Sequence, residues 1–203
     1  MESMNQSSYR STGSGSSMGK RSDFERKPRD YYPTPIEAVE PLVNHLPYSF
    51  NYIEPCAGDG RLVKHISKLT DGAGKCLYMG DIEPRGEGVM PCDALKVKIS
   101  LPLAAAISMV ITNPPWERSF LHAFIDKWLP IAPMWLLFDA DWMHTKQSAM
   151  LMTYCRKVVS VGRVKWIEGS KQTGKDNCAW YYFKEERTTG KALEPTQFYG
   201  RIM

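Results

Sequence analysis

The sequence predicts an α/β domain built on an open sheet, with ligands gathered at the carboxyl ends of its strands. Three observations lead there. Short apolar runs rich in β-branched residues alternate with stretches of helical period. A small-residue turn, Cys56-Ala57-Gly58-Asp59-Gly60, lies between a strand-like run and a helix-like one. Asn113-Pro114-Pro115-Trp116 occupies the same kind of junction further along.

Length and composition bound the rest. The chain has 203 residues, 43% hydrophobic and 11% aromatic, enough for one full core plus an appendage. No apolar run approaches the roughly 20 residues of a membrane span. The N-terminus is polar and carries no signal-peptide core, so a cytoplasmic protein with no membrane partner is expected. The five cysteines (Cys56, Cys76, Cys92, Cys155, Cys178) form no C-x-x-C pair. That spacing points to free thiols rather than a disulfide framework or a metal site. The formal charge of +4 permits nucleic-acid binding without demanding it.

The expected organisation is a Ser/Gly/Arg-rich disordered tail over 1–29, a folded domain over 30–184 and a polar extension over 185–203. The tail has almost no apolar side chains with which to offset chain entropy. Thr34 is the expected N-cap of the first helix, with Pro35 as its first residue. Ile36, Val39, Val43 and Leu46 carry that helix to about Leu46. Asn51 to Pro55 is a short strand ending in Glu54, and Arg61 to Leu69 a helix with Leu62, Val63, Ile66 and Leu69 inward. Lys75 to Gly80 is the next strand. Asp81 follows it about 20 residues past the glycine turn, where an acid can bind both hydroxyls of a ribose; Glu83 is the alternative. Cys92 to Leu95 closes a third short element, and Asp93 there can accept from an adenine amino group. Singly, each acid is an ordinary loop carboxylate. Three at successive strand ends point to a ligand.

The apolar run Ala106 to Thr112 is a buried strand, and Glu117 to Pro130 a helix. Met134 to Phe138 is a strand and Trp142 to Tyr154 a helix. Val158 to Ile167 and Cys178 to Phe183 alternate as two further strands, joined by the polar loop Glu168 to Asn177, which reads either as a mobile, substrate-facing loop or as a plain hairpin connection. None of His45, His65, His122 or His144 falls in a readable motif.

The glycine turn is not a phosphate-binding G-x-G-x-x-G or a P-loop. Acids at Glu54 and Asp59 suit a cationic or amino-bearing ligand better than a pyrophosphate. At the second junction, the Asn113 side-chain carbonyl can accept one N–H of a planar amino group. Two prolines hold the backbone extended and lack donors, leaving the Pro114 carbonyl to accept the other. Trp116 offers a face on which a base stacks, worth roughly 1–3 kcal/mol.

The set Tyr32-Pro33-Thr34-Pro35, Glu54-Pro55-Cys56-Ala57-Gly58-Asp59-Gly60, Asp81-Ile82-Glu83-Pro84, Cys92-Asp93 and Asn113-Pro114-Pro115-Trp116 resembles the class I S-adenosylmethionine-dependent amino-methyltransferases. It is most similar to adenine-N6 DNA methylases of the small, phage-type kind, over roughly Asp30 to Phe183. The resemblance implies a Rossmann-like, mostly parallel seven-stranded sheet with helices on both faces and an antiparallel last strand. It implies S-adenosylmethionine as cofactor and a nucleic-acid substrate, DNA first. Thr34 would hold the methionine carboxylate. Glu54, Pro55 and the turn Ala57, Gly58, Asp59, Gly60 would surround the methionyl group. Asp81 would bind ribose and Asp93 the adenine amine, with Tyr32 and Ile82 in the same cofactor-binding motifs. Asn113, Pro114, Pro115 and Trp116 would hold the target amine, Asn113 also touching the cofactor.

The chain leaves no room for a separate recognition domain. Target recognition then falls to the loops near Asp139 to Lys146 and Lys171 to Asp176, and to the basic tail. An RNA adenine, a protein glutamine amide and a non-catalytic DNA-binding factor stay open as alternatives, as do monomer and dimer.

Overall fold

The computed structural model describes residues 31–169, 173–185 and 194–201. The tail over 1–29, the centre of the Glu168–Asn177 loop with Lys171, and most of the start of the extension lie outside these residues.

The first helix, α1 (Ile36–Val43), begins one residue later than expected. Pro35, extended at φ −74° and ψ 155°, is its N-cap, and no side chain caps it. Thr34 is turned elsewhere. The helix also ends early, at Val43, and carries Pro41 inside it, which removes a backbone donor. Leu46 is reached through backbone turns, its N–H donating to the Val43 carbonyl at 3.1 Å.

Strand β1 (Phe50–Glu54) leads through the glycine turn into α2 (Arg61–Leu69). β2 (Gly74–Asp81) and β3 (Met90–Pro91) follow. A short helix unforeseen in the sequence, α3 (Leu101–Ala106), is capped by Ser100, which accepts from the Leu103 N–H. It takes Ala106 from the expected strand, so β4 is Met109–Thr112. α4 (Arg118–Trp128) and β5 (Met134–Asp139) stand where expected.

The expected helix over Trp142 to Tyr154 is instead two 3-10 turns, Ala140–His144 and Lys146–Ser148, followed by α5 (Ala149–Met152). Local hydroxyls break it. Thr145 is extended and bonds the Trp142 carbonyl, while the Ser148 hydroxyl reaches the carbonyls of Met143 and Thr145.

Strand β6 (Cys155–Gly162) both starts and stops earlier than the expected Val158 to Ile167. Gly162, at φ +83°, ends it in a conformation a strand does not continue. β7 (Cys178–Phe183) agrees with expectation, and β8 (Gln197–Tyr199) is an eighth strand contributed by the extension.

The sheet order is β3-β2-β1-β4-β5-β7-β6-β8. Only β7 runs antiparallel to its neighbours. Strand alternation divides the core between two faces. Val110, Met134, Leu136, Phe138, Tyr181 and Phe183 pack with α4 on one side. Met109, Ile111, Trp135, Leu137, Val159 and Trp180 pack with α1 and α2 on the other. Chain order reverses between β1 and β4, so their carboxyl ends diverge into a crevice, the switch point where open α/β sheets bind ligands.

Candidate active site

The crevice is an open cleft of about 820 Å³, mouth included. Its lining brings together Tyr32, Thr34, Glu54, Pro55, Ala57, Gly58, Asp59, Asp81, Ile82, Asp93, Asn113 and Pro115. Gly60, Pro114 and Trp116 lie outside the lining. Gly60, at φ +74°, turns the chain into α2. Pro114 is buried, and Trp116 stands beside Asn113.

At the β1 end, Gly58 adopts φ +54°, and a Cβ there would lie 2.7 Å from the Tyr31 ring. The turn therefore needs glycine twice over, for its dihedral and for the ring packed against it. The Gly58 N–H donates to Asp81 Oδ2 at 2.8 Å, and Asp81 Oδ1 accepts from the Glu83 N–H at 2.8 Å. Each carboxylate oxygen keeps a further lone pair for a hydroxyl donor. The segment after β2 folds back over the turn: the Arg85 N–H donates to the Gly58 carbonyl at 2.9 Å, and its guanidinium lies 4.2 Å from the Tyr31 ring centre. Burial, then the Asp59 charge and a hydrogen bond to it, raise the Tyr31 phenol above its ordinary pKa. Ile82, 60% exposed, presents an apolar face at the edge of the cleft.

Glu54 is the most unusual group in the cleft. It is 1% exposed, and its Oε2 has no hydrogen-bond partner among the described residues. Burial, reinforced by the charges of Asp81 and Asp59, pushes its pKa well above the usual carboxylate range. Asp59 has Arg61 at 3.3 Å and Glu83 has Arg85 at 2.7 Å. Among the described residues no cation pairs with Glu54 in this way. Asp93 differs again: the Leu95 N–H and Lys96 Nζ, at 2.9 and 3.1 Å, hold its pKa low.

At the β4 end, the Asn113 amide is bonded at both ends. Its Nδ2 donates to Thr34 Oγ1 at 3.1 Å and to the Tyr32 carbonyl at 3.5 Å. Its Oδ1 accepts from Trp116 Nε1 at 3.1 Å. The Trp116 ring packs 5.7 Å from Phe138 and edge-on, 5.5 Å away, against Trp166. No hydrogen bond to the Pro114 carbonyl occurs among the described residues.

No histidine lines the cleft. His122 Nε2 accepts from the buried Trp142 indole, and His45 packs on Tyr199 at 4.3 Å. The sequence reading missed Tyr31, Arg85 and Phe120 as lining residues. Tyr31 and Arg85 flank motifs that were read, and adjacency was the available signal. Phe120 was read only as part of a helix face.

No family model and no curated protein matches the chain. Solved structures do, at the level of fold. The methyltransferase subunit of a type I restriction-modification system from Streptococcus thermophilus superposes at a TM-score of 0.51 with 10% identity, over 77% of this chain and 45% of that one. A Listeria monocytogenes protein assigned to the class I S-adenosylmethionine-dependent methyltransferases gives 0.53 with 9% identity, over 81% and 62%. A dimethyladenosine transferase from Plasmodium falciparum gives 0.50 with 14% identity, over 76% and 62%. The chain has the Rossmann-like α/β fold of these methyltransferases, and it spans about half to two thirds of their length.

Proposed function

We propose that the chain is an S-adenosylmethionine-dependent methyltransferase acting on the N6 amine of adenine in DNA. The observation that carries this reading is the Asn113 amide, held at both ends on the wall of an acidic cleft at the sheet's switch point.

The cleft suits the cofactor on physical grounds. A buried carboxylate with an orphaned oxygen, at Glu54, matches an ammonium group, which would supply the missing donors and the missing charge. Asp81, anchored by two backbone amides, offers its remaining lone pairs to ribose hydroxyls. Ile82 provides an apolar face for the adenine ring. Asp93 has Lys96 on one oxygen, and its role is to accept from the adenine amine. When bound, the cofactor supplies a methyl group already activated on a sulfonium sulfur.

The protein's part is alignment and exclusion of water. Asn113 Oδ1 keeps a lone pair beyond the one taken by Trp116, and the Pro114 carbonyl accepts from no donor among the described residues. Together they accept the two N–H bonds of a planar amine and turn its nitrogen lone pair out of the ring. Trp116 stacks on the base, offsetting the few kcal/mol that flipping it from a duplex costs. The proton released from the amine passes to solvent, so no histidine base is required. Recognition falls to the loops around the cleft, with Trp166 of the β6–β7 connection already against Trp116.

The test is incubation of the protein with radiolabelled S-adenosylmethionine and, separately, double-stranded DNA, RNA and protein, followed by mass spectrometry of the nucleosides. N6-methyladenine in DNA is the expected product. Label only in RNA or in glutamine side chains would move the assignment to those substrates. Cofactor binding with transfer to none of them would make the chain a non-catalytic binding factor.

A further inference from the structure

We propose that Thr34 is a positioning residue for Asn113, anchoring the carboxamide in the orientation that the Trp116 indole and the Tyr32 carbonyl select for meeting the target amine. This rests on the reading of the cleft as an amino-methyltransferase site, and it gives Thr34 a role other than holding the methionine carboxylate.

Thr34 is 5% exposed and caps no helix. Its Oγ1 accepts from Asn113 Nδ2 across 79 residues of sequence. The reversed amide is opposed at both ends. It would set an NH₂ against the Trp116 indole N–H, which can only donate, and an oxygen against the Tyr32 carbonyl, which can only accept. The orientation matters because only the oxygen can accept an N–H from the target base. A reversed amide would present donors to a donor. Trp116 alone holds Asn113 from the same turn. Thr34 holds it from the segment before α1, distant in sequence, and so ties that segment to the end of β4.

The decisive comparison is Thr34→Val, which keeps the shape and removes the acceptor, with Thr34→Ser, which restores it. Three quantities are measured on the full chain: affinity for S-adenosylhomocysteine by calorimetry, kcat and KM on an adenine-containing DNA duplex, and the Asn113 side-chain NH₂ resonance in ¹⁵N-labelled protein, assigned with Asn113→Ala. The expected result for Thr34→Val is a tenfold or greater fall in kcat, with S-adenosylhomocysteine affinity within twofold of wild type and a shifted or broadened Asn113 resonance. Thr34→Ser recovers both kcat and resonance. Unchanged kcat in Thr34→Val, or a loss explained by weakened S-adenosylhomocysteine binding, would overturn the proposal in favour of a carboxylate-binding or merely structural Thr34. Should wild type transfer no methyl group to any substrate, the functional reading fails separately. The resonance then decides alone: unperturbed in Thr34→Val, it overturns the positioning role.

Discussion

The Gly58 N–H donates to Asp81 Oδ2 at 2.8 Å, so the carboxylate that ends β2 also holds the turn that follows β1. Two neighbouring strand ends are thereby tied into one surface before any ligand arrives. Asp81 is a structural anchor, and in the proposed function it would also accept from ribose, so its removal would act on both.

Gly58→Ala tests the turn. The new methyl would meet the Tyr31 ring at 2.7 Å in a backbone conformation that disfavours alanine by roughly 1–2 kcal/mol. S-Adenosylmethionine affinity, measured by calorimetry, is expected to fall at least tenfold while the circular dichroism spectrum is retained. Wild-type affinity would show that the turn does not touch the cofactor.

Glu54→Gln tests the buried acid through pH. Because burial raises the folded pKa of Glu54, the folded state keeps its proton where the unfolded chain has lost it. Stability from this group is therefore lost as pH rises from the ordinary glutamate value, about 4.3, through the raised folded value. The ligand-free variant lacks that slope. It should melt at or above wild type at about pH 8, with the difference closing as pH falls towards about 4. Cofactor affinity should meanwhile drop tenfold or more. A variant less stable than wild type at high pH, with intact cofactor binding, would remove Glu54 from the site.

Asn113→Ala removes the side-chain oxygen proposed to accept from the reacting amine. Loss of one such group typically lowers turnover by about 100-fold or more. Cofactor affinity should stay nearly unchanged, since the ammonium and ribose contacts lie at the ends of β1 and β2. Near-normal single-turnover rates in the variant would end the catalytic assignment.

Trp116 has two separable contributions. Trp116→Phe keeps a ring to stack but loses the Nε1 donor to Asn113 Oδ1, whereas Trp116→Ala loses both. Turnover should fall in the order wild type, Phe, Ala, with KM for DNA rising most in the Ala variant. Equal kinetics in the two variants would exclude stacking as a separate contribution.

Much of the frame was legible because its causes are local. Met134 to Phe138 is an unbroken apolar run, the pattern of a strand buried on both faces, and in the structure Met134, Leu136 and Phe138 face one side and Trp135 and Leu137 the other. The turn at Ala57 to Gly60 was legible because glycines mark where positive φ is needed. Boundaries failed where a nearby group competed with the pattern: the hydroxyls of Thr145 and Ser148, and Gly162 at the end of β6.

The sequence by itself determined the strand–turn–helix order, the acids at successive strand ends and the Asn-Pro-Pro-Trp bend. Those follow from periodicity and from residue chemistry within a few positions. Only the tertiary structure decided that Thr34 faces Asn113 rather than capping α1, that Tyr31 and Arg85 cover the glycine turn, and that Gln197 to Tyr199 adds a strand beside β6. Each of these depends on which distant segments the sheet order brings within bonding distance, and no local propensity encodes that.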